Sequence, residues 1–382
     1  MNNYYFDYAA ATPMSEAVVA AMQSFLVDNF YNPSALYVAA QDVRKALQSA
    51  RELVAHELGC KSSEVIFTAG GTESDNLAVD GVMRQFPDAN IVVSAIEHDA
   101  VLKPAQRYNC KIAPISANGR VDVKTIDTLI DENTVLVSIM YANNEIGTIQ
   151  PLRDIAKVIK LKKENRKLQG NTLPLYFHTD ACQAANYLPL LVNNLGVDLM
   201  TLNGGKIYGP KQTGVLFVRS GITLQPQILG GGQERNIRSG TENVAGNIGF
   251  ATALQETAKM KEEESRRLKE LQDYCIKQIR LTLPNAIING SMSHRLPNNI
   301  HLTIPGRDNE RLLMELDERG VMVATGSACS ASSDEPSHVL TALGLSDEDA
   351  RCSIRITFGR LTNQQAVDKL VENLVFVVKH TV

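Results

Sequence analysis

The sequence predicts an α/β protein whose parallel or mixed β-sheet is covered by helices on both faces. Two observations support this fold class. Short apolar segments bounded by polar residues or glycine occur at residues 65–68, 91–94, 135–140, 175–179 and 214–218. Longer amphipathic segments lie between them, at residues 38–58, 72–84 and 152–163. Near-continuous apolar strands that alternate with helices are typical of a sheet buried on both faces, whose ligands bind at the carboxyl ends of the strands.

The chain is too long for a single core. Its 382 residues lead us to expect two domains. Residues 248–283 form one predicted long helix that stops before Pro284 and carries a charge run at residues 259–269. We interpret this run as a solvated helix face that links two domains, with a binding surface as the alternative.

The segment after the long helix has the pattern of a smaller α+β domain. Strand-like segments at residues 298–304, 321–324 and 353–357 alternate with helix-like segments at residues 310–319 and 337–343. We place the large domain at residues 15–255, and the small domain at residues 1–14 and 256–382.

Composition and charge exclude several classes of function. The net charge of −4 provides no basic surface of the kind that binds nucleic acid or anionic membranes. The six cysteines form no CxxC pair and no histidine stands at metal-ligand spacing, which excludes zinc ribbons and disulfide scaffolds. The longest apolar stretches are far shorter than a membrane span, and no export signal is visible. We therefore expect a soluble cytoplasmic protein with no metal and no direct nucleic-acid or membrane partner.

An aspartate and a lysine provide the first chemical signal. Asp180 ends an apolar strand, and Lys206 follows two glycines. An enzyme that uses pyridoxal 5′-phosphate (PLP) needs a lysine to form a Schiff base with the cofactor and a carboxylate to keep the pyridine nitrogen protonated. Taken alone, such a pair is more often two ordinary surface residues. Whether Asp180 and Lys206 belong to a PLP site therefore depends on the neighbouring segments.

Polar residues at three further strand ends favour a shared site. Residues 69–74 (Ala-Gly-Gly-Thr-Glu-Ser) follow an apolar strand and open a helix, an arrangement that offers backbone N–H groups and the helix dipole to a phosphate. A plain strand–helix turn is the alternative. Glu97 and His98 end a second strand, where a lone histidine is more often a core residue, and residues 143–145 end a third. The fold brings such strand ends together, so we expect these clusters to meet.

Nine segments together resemble the cysteine desulfurases of the NifS/IscS type. They are collinear along the whole chain and comprise residues 6–13, 67–77, 97–98, 143–147, 178–183, 197–218, 230–241, 326–345 and 353–360. That family belongs to the class-V aminotransferases, within fold type I of the PLP-dependent enzymes. The resemblance implies a large domain with a mixed, mainly parallel seven-stranded sheet, a smaller α+β domain, and an obligate homodimer with active sites at the subunit interface.

The resemblance also assigns roles to residues. Lys206, rather than the nearby Lys211, would form the Schiff base with PLP, and Asp180 would pair with the pyridine nitrogen. His98 would stack on the ring and assist proton transfer. The other implied binding residues are Gly71, Thr72 and Asn203 for the phosphate, Thr241 for the phosphate in the other subunit, Asn144 and Gln183 for the ring oxygen, and Arg355 and Asn32 for the substrate. A guanidinium fork such as that of Arg355 suits a carboxylate.

Cys329 lies in a run of small residues, Gly-Ser-Ala-Cys-Ser-Ala-Ser-Ser, at residues 326–333. A buried structural cysteine is the alternative for this residue taken alone. Within the matched segment, the resemblance makes Cys329 the thiolate that accepts sulfur from L-cysteine as a persulfide and leaves L-alanine. Pro336 follows seven residues later, a spacing that resembles the family members that hand sulfur to partner proteins. We interpret the other five cysteines as structural.

The function implied by the resemblance is that of a PLP-dependent cysteine desulfurase. The sulfur acceptor would be an iron–sulfur scaffold or a relay protein for thiolation of tRNA or a cofactor. One alternative is another class-V enzyme, such as a selenocysteine lyase or an aminotransferase-like enzyme, but transamination needs no thiol nucleophile. The other is a degenerate, non-catalytic homologue that acts as a binding protein, but the key site residues are all present.

One segment departs from the family pattern. Residues 203–206 are Asn-Gly-Gly-Lys, where the family usually has Ser-Gly-His-Lys and uses the serine and histidine to contact the cofactor phosphate. Asn203 keeps a hydrogen-bond donor, but Gly205 has no side chain. The loss of one charge-assisted contact costs roughly 1.5–3 kcal/mol. We therefore predict weaker retention of PLP than is usual for the family.

Overall fold

The computed structural model describes residues 4–326 and 336–380 of the chain. The strands in this part are β1 (Tyr4–Tyr5), β2 (Val65–Thr68), β3 (Asn90–Ser94), β4 (Asn109–Ala113), β5 (Thr134–Ser138), β6 (Tyr176–Asp180), β7 (Leu199–Asn203), β8 (Gly214–Val218), β9 (Ile287–Ile288), β10 (Asn299–Thr303), β11 (Val321–Met322) and β12 (Ser353–Thr357). The helices are α1 (Glu16–Leu26), α2 (Val38–Leu58), α3 (Gly71–Met83), α4 (Asp99–Ala105), α5 (Val123–Leu129), α6 (Leu152–Leu168), α7 (Val192–Leu195), α8 (Val244–Thr282), α9 (Asn309–Glu318), α10 (His338–Ala342), α11 (Asp347–Arg351) and α12 (Gln364–His380).

Strands β2 to β8 form one seven-stranded sheet in the order β2-β8-β7-β6-β5-β3-β4. β8 runs antiparallel to its neighbours β2 and β7, and the other adjacent strands are parallel. The expected mixed, mainly parallel seven-stranded sheet is therefore confirmed. All its strands except β8 share one direction, so their carboxyl ends lie along one edge of the sheet.

The two faces of this sheet pack into separate hydrophobic cores. Val92 of β3 belongs to the core that includes Val54 of α2 and Ile155 of α6. Its neighbour Ile91 belongs to the core that includes Leu77 of α3. Successive side chains of a strand point to opposite faces, so burial on both faces requires the nearly continuous apolar runs seen in the sequence.

The later part of the chain forms smaller sheets. Strands β12-β10-β9 make an antiparallel sheet, and β1 pairs in parallel with β11. The helix expected at residues 248–283 is observed as α8, which has 39 residues and is about 58 Å long. It contacts α1 and α2, and also α12 and β10. The expected domain boundary at residue 255 lies within this helix, and the division into domains stays a prediction.

Two kinds of feature are absent from the described residues, membrane-spanning helices and metal-binding clusters. None of the helices in residues 4–326 and 336–380 is long and apolar enough to cross a membrane. In the same residues, no group of three or more histidine, cysteine, aspartate or glutamate side chains could hold a metal ion.

Candidate active site

A cavity of about 180 Å³ lies at the shared edge where β2, β3, β5, β6 and β7 end. Its lining residues are Ala9, Ala10, Gly71, Thr72, Asp75, His98, Met140, Asn144, Asp180, Cys182, Gln183, Asn203, Lys206 and Arg355. Nine of these are site residues predicted from the sequence. The strand ends that were expected to meet do so here.

Lys206 is held in the cavity by a short turn and by the N-terminal segment. It ends the 3₁₀ turn Gly204–Lys206, which follows β7 directly. Position 204 requires glycine, because a Cβ atom there would collide with Thr213 Oγ1. Lys206 Nζ donates hydrogen bonds to the carbonyl oxygens of Ala9 at 2.9 Å and Ala10 at 2.6 Å. The N-terminal segment thus fixes the position of the amine.

The end of β6 brings an aspartate and its neighbours to the cavity. Asp180 is buried, and one of its carboxylate oxygens accepts a hydrogen bond from the Cys182 N–H at 2.8 Å. Gln183 Nε2 donates to the Ala9 carbonyl oxygen at 3.0 Å, so this turn also contacts the N-terminal segment. Burial, followed by the neighbouring Asp180 carboxylate, raises the pKa of the Cys182 thiol well above its ordinary value. Cys182 therefore stays protonated.

The N-terminus of α3 offers backbone N–H groups to the cavity. Gly70 precedes this helix with φ of 144°, a conformation that favours glycine. The N–H groups of a first helical turn lack partners within the helix, so those of Gly71 and Thr72 are suited to bind an anion. A Cβ atom at Gly71 would lie 3.0 Å from Cys182 Sγ and 3.3 Å from Asn203 Nδ2. The Asn203 amide therefore lies beside these N–H groups.

His98 and Asn144 line the cavity from the segments that follow β3 and β5. His98 caps α4, since its Nδ1 accepts a hydrogen bond from the Ala100 N–H at 3.1 Å. In the neutral ring, that bond leaves the proton on Nε2. His98 is thus a nitrogen acid or base whose orientation is set by the helix it caps.

Arg355 reaches the cavity from β12 and is almost fully buried. Its Nη2 donates to Asp7 Oδ1 at 2.7 Å, and its Nη1 donates to the Asn144 carbonyl oxygen at 3.2 Å. Its Nε has no hydrogen-bond partner among the described residues. A buried guanidinium needs a counter-charge, which Asp7 provides, and the remaining N–H groups are suited to a small carboxylate.

Burial keeps several titratable groups near the cavity neutral. It raises the pKa of Glu97 to about 8, although Ser94 Oγ and the Met140 N–H both donate to its carboxyl group. It lowers the pKa of His178 to about 4. Glu97 is therefore mainly protonated and His178 mainly unprotonated at neutral pH.

These residues fit PLP, the cofactor that the resemblance implies. PLP has an aldehyde that reacts with an amine, a pyridine nitrogen that needs an acidic partner, and a phosphate. The cavity provides Lys206 Nζ, the Asp180 carboxylate and the N–H groups of α3, one for each part. The absence of a side chain at Gly71 supports the fit of the phosphate, because a Cβ atom at this position would crowd the Asn203 amide.

Three predicted site residues are not among those that line the cavity. Thr241 and Asn32 are both exposed, and Asn32 Oδ1 accepts a hydrogen bond from the Ser34 N–H at 2.9 Å. The resemblance assigns Thr241 to the cavity of the other subunit, so both roles stay predictions. Cys329 lies outside the described residues.

The sequence interpretation missed contributions from the N-terminal segment and from α3. Ala9 and Ala10 hold Lys206, Asp7 pairs with Arg355, and Asp75 lines the cavity. Residues 6–13 and 67–77 carried the resemblance, but no role was assigned to these four positions. Their presence in matched segments was the available signal.

Comparisons with known proteins agree with this site. The family model for aminotransferase class-V matches residues 4–370. Cysteine desulfurase IscS of Dictyoglomus turgidum is 41% identical, over 98% of this chain and 94% of its own. A solved NifS-like protein has a TM-score of 0.90 and 30% identity over 99% of both chains. The structure of SspA in complex with cysteine has a TM-score of 0.81 and 32% identity, over 93% of this chain and 98% of its own. The chain therefore belongs to the class-V aminotransferase family and, within it, to the cysteine desulfurases of the NifS/IscS type, which depend on PLP.

Proposed function

We propose that this protein converts L-cysteine to L-alanine and passes the sulfur, as a persulfide on Cys329, to an acceptor protein. The observation that carries the proposal is that Lys206, Asp180 and Arg355 meet in one cavity of a chain from the desulfurase family. These residues provide an amine, a carboxylate and a guanidinium, which is the set that an amino-acid substrate and PLP require. The similar SspA structure contains cysteine, which supports the choice of substrate.

The cofactor contacts follow from the positions of the side chains. Lys206 Nζ would bond to PLP, and the Asp180 carboxylate would hold the proton of the pyridine nitrogen. The N–H groups of Gly71 and Thr72, together with Asn203 Nδ2, would bind the phosphate. Asn144 and Gln183 would lie on the side of the ring oxygen.

Different residues around the substrate carry out binding and proton transfer. The chemistry supplied by bound PLP is withdrawal of electrons from the substrate Cα. Arg355 binds the substrate carboxylate and so orients the Cα–H bond. The Lys206 amine takes the Cα proton, and His98 Nε2 holds a proton for return to the product carbon.

In the sulfur-transfer step, the proposed nucleophile is the thiolate of Cys329. This thiolate attacks the substrate sulfur, so that an S–S bond forms while the substrate Cβ–S bond breaks. The electron pair of the broken bond stays with the substrate carbon, which takes a proton and leaves as alanine. The persulfide sulfur then moves to a thiol of the acceptor, an iron–sulfur scaffold or a thiolation relay protein, in the reducing cytoplasm.

The exposed apolar surface supports a homodimer. Leu36 is 87% exposed and Leu229 is 81% exposed, so both would be buried more favourably against a partner subunit. Ile228, which precedes Leu229, forms a β-bridge with Arg238, which lies three residues before Thr241. A partner subunit that covers Leu229 would therefore lie close to Thr241, as the role proposed for Thr241 in the other subunit requires.

The proposed function is tested with the purified holoenzyme and L-cysteine. We expect alanine to form and, with a reductant present, an equal amount of sulfide. Without reductant, the peptide that contains Cys329 should gain the mass of one sulfur atom. Pyruvate or free sulfide without this protein-bound sulfur would instead indicate another PLP-dependent lyase, and no turnover with visible PLP absorption would contradict the choice of substrate.

Replacing Arg355 with lysine should raise the KM for L-cysteine by about 10- to 100-fold, with a smaller effect on kcat. A lysine ammonium cannot bind both carboxylate oxygens in a fork, and its shorter reach would leave Asp7 partly unpaired. Steady-state kinetics of alanine formation measure both constants. Arg360→Lys is the matched control, because Arg360 pairs with Glu256 and does not line the cavity. An unchanged KM in the Arg355 variant would show that Arg355 does not bind the substrate carboxylate.

Replacing Gly205 with histidine should slow the loss of PLP by about tenfold or more. The site has room, since a Cβ atom at Gly205 would make only ordinary contacts, with Asn203 Oδ1 at 3.4 Å and Lys211 Cγ at 3.5 Å. The decay of PLP absorption after removal of free cofactor measures the rate. Gly205→Ala adds the Cβ atom without a donor and should behave like the wild type. Equal rates in all three proteins would contradict the predicted weak phosphate site.

A further inference from the structure

Asp75 is a buried carboxyl group that the proposed reaction does not use. It lies on α3, is 1% exposed and lines the cavity. Its Oδ1 has no hydrogen-bond partner among the described residues. An ionised carboxylate in such a position is costly unless a cation or several donors compensate it.

His178 does not provide the missing cation. Its Nε2 lies 3.6 Å from Asp75 Oδ1, which is too far for a good hydrogen bond. Both ring nitrogens already have closer partners, Ser138 Oγ at 2.8 Å and Thr201 Oγ1 at 3.1 Å. Burial also lowers the pKa of His178 to about 4, so the ring is neutral and forms no ion pair.

Two neighbouring carboxyl groups, those of Asp180 and Glu97, make the ionisation of Asp75 still less favourable. The titratable side chains around it are Asp180 and His178 from β6, Cys182 from the following turn, Glu97 from the segment after β3, and Lys206, which lines the same cavity. Burial and then the Asp180 carboxylate raise the pKa of Asp75 well above its ordinary value, against a polar contact with Thr201 that favours the charged form. Asp75 therefore holds its proton more tightly than an ordinary aspartate, and Glu97, whose pKa burial raises to about 8, is mainly protonated at neutral pH.

We propose that Asp75 is a positioning residue for the cofactor: it stays protonated and so adds no second negative charge beside Asp180. The inference rests on the proposed function, because it concerns the cofactor that Asp180 would hold. A second negative charge would stabilise the ammonium form of Lys206, which cannot bond to the cofactor aldehyde. The neutral acid therefore lets Asp180 act on the pyridine nitrogen without also trapping the lysine as a cation.

The apo-protein provides the first test, through the pH dependence of its stability. The folded protein binds the Asp75 proton more tightly than the unfolded chain, so this group makes stability fall as pH rises above about 4. Asp75→Asn is neutral at every pH and has nearly the same shape. We expect it to raise the Tm of the apo-protein by about 2 °C or more at about pH 9, and by much less at about pH 5.

Asp80→Asn is the matched control, on the same helix and equally buried. Asp80 accepts hydrogen bonds from Arg107 Nη1 at 3.0 Å, Tyr108 Oη at 2.8 Å and Gln227 Nε2 at 3.1 Å. Its substitution should lower Tm at neutral and alkaline pH, because paired cations lose their partner. A Tm of Asp75→Asn that falls in the same way would overturn the proposal that Asp75 is protonated.

The holoenzyme provides the second test, in which the visible absorption of bound PLP is followed as pH rises. Wild type should show an alkaline spectral change when Asp75 ionises, and Asp75→Asn should lack it. Identical spectra at every pH would overturn the positioning role even if the stability result held. The two proposals fail differently: absence of any PLP absorption in wild type refutes the cofactor assignment, whereas a wrong stability pattern refutes only the protonated Asp75.

Discussion

Replacing Lys206 with alanine is expected to reduce alanine formation by at least about 10³-fold and to abolish the visible absorption of lysine-bound PLP. Among the described residues that line the cavity, Lys206 is the one lysine. The carbonyl groups of Ala9 and Ala10 fix its Nζ at 2.9 and 2.6 Å. An alanine provides neither a bond to the cofactor nor an amine to take the Cα proton, so two contributions to the rate are lost together.

Lys211→Ala is the matched control for this prediction. Lys211 lies five positions further along the chain, is exposed and does not line the cavity. Its Cγ comes within 3.5 Å of where a Cβ atom of Gly205 would lie, so it is near the site without entering it. The Lys211 variant should keep the absorption band and most of the turnover. Loss of the band in this variant, with retention in the Lys206 variant, would reverse the assignment of the two lysines.

The strands that carry the site were predictable because they are buried on both faces. The segments expected at residues 65–68 and 353–357 coincide with β2 and β12. All residues in these strands are buried, so each stands out as an apolar run. Since the carboxyl ends of parallel strands meet, the polar residues that follow such runs could be grouped before the structure was known.

Two elements, β4 and α12, were not predicted. β4 (Asn109–Ala113) is the edge strand of the large sheet, where Lys111 is half-buried and pairs with Asp131. Charge and partial exposure remove the apolar run that marks a central strand. α12 was missed although its signal is present, because its buried side chains follow helical spacing at Ala366, Val367, Leu370, Val371, Leu374 and Val377.

Contacts between distant parts of the chain set the fine geometry of the site. Asp7 pairs with Arg355 across 348 positions, and β1 pairs with β11 near the other end of the chain. No local pattern encodes such pairs, since each residue alone is an ordinary charged or apolar side chain. Cys182 is a second example of a position that no local pattern reveals. The sequence led us to interpret it as structural, but it lines the cavity beside Gly71.

The second large effect is expected from Cys329→Ala, which should reduce sulfide formation by at least about 10³-fold, as loss of a catalytic nucleophile does. The holoenzyme should still bind PLP and show its visible absorption, because the cofactor contacts described above do not include Cys329. L-cysteine should still change this spectrum, since Arg355 and Lys206 remain. The variant thereby separates substrate binding from sulfur transfer, a separation that Lys206→Ala cannot provide.

Three other thiols of the described residues, those of Cys60, Cys110 and Cys182, are poor candidates for the sulfur-accepting role. Burial raises the pKa of Cys110 to about 11, that of Cys60 to about 12, and that of Cys182 well above its ordinary value. Only a thiolate attacks sulfur efficiently, so these groups are mostly inactive at neutral pH. Cys110→Ala should therefore keep nearly full sulfide formation and serves as the control. Mass spectrometry of wild type after L-cysteine should place the added sulfur on the Cys329 peptide, and its appearance on the Cys182 peptide would make the thiol in the cavity the acceptor instead.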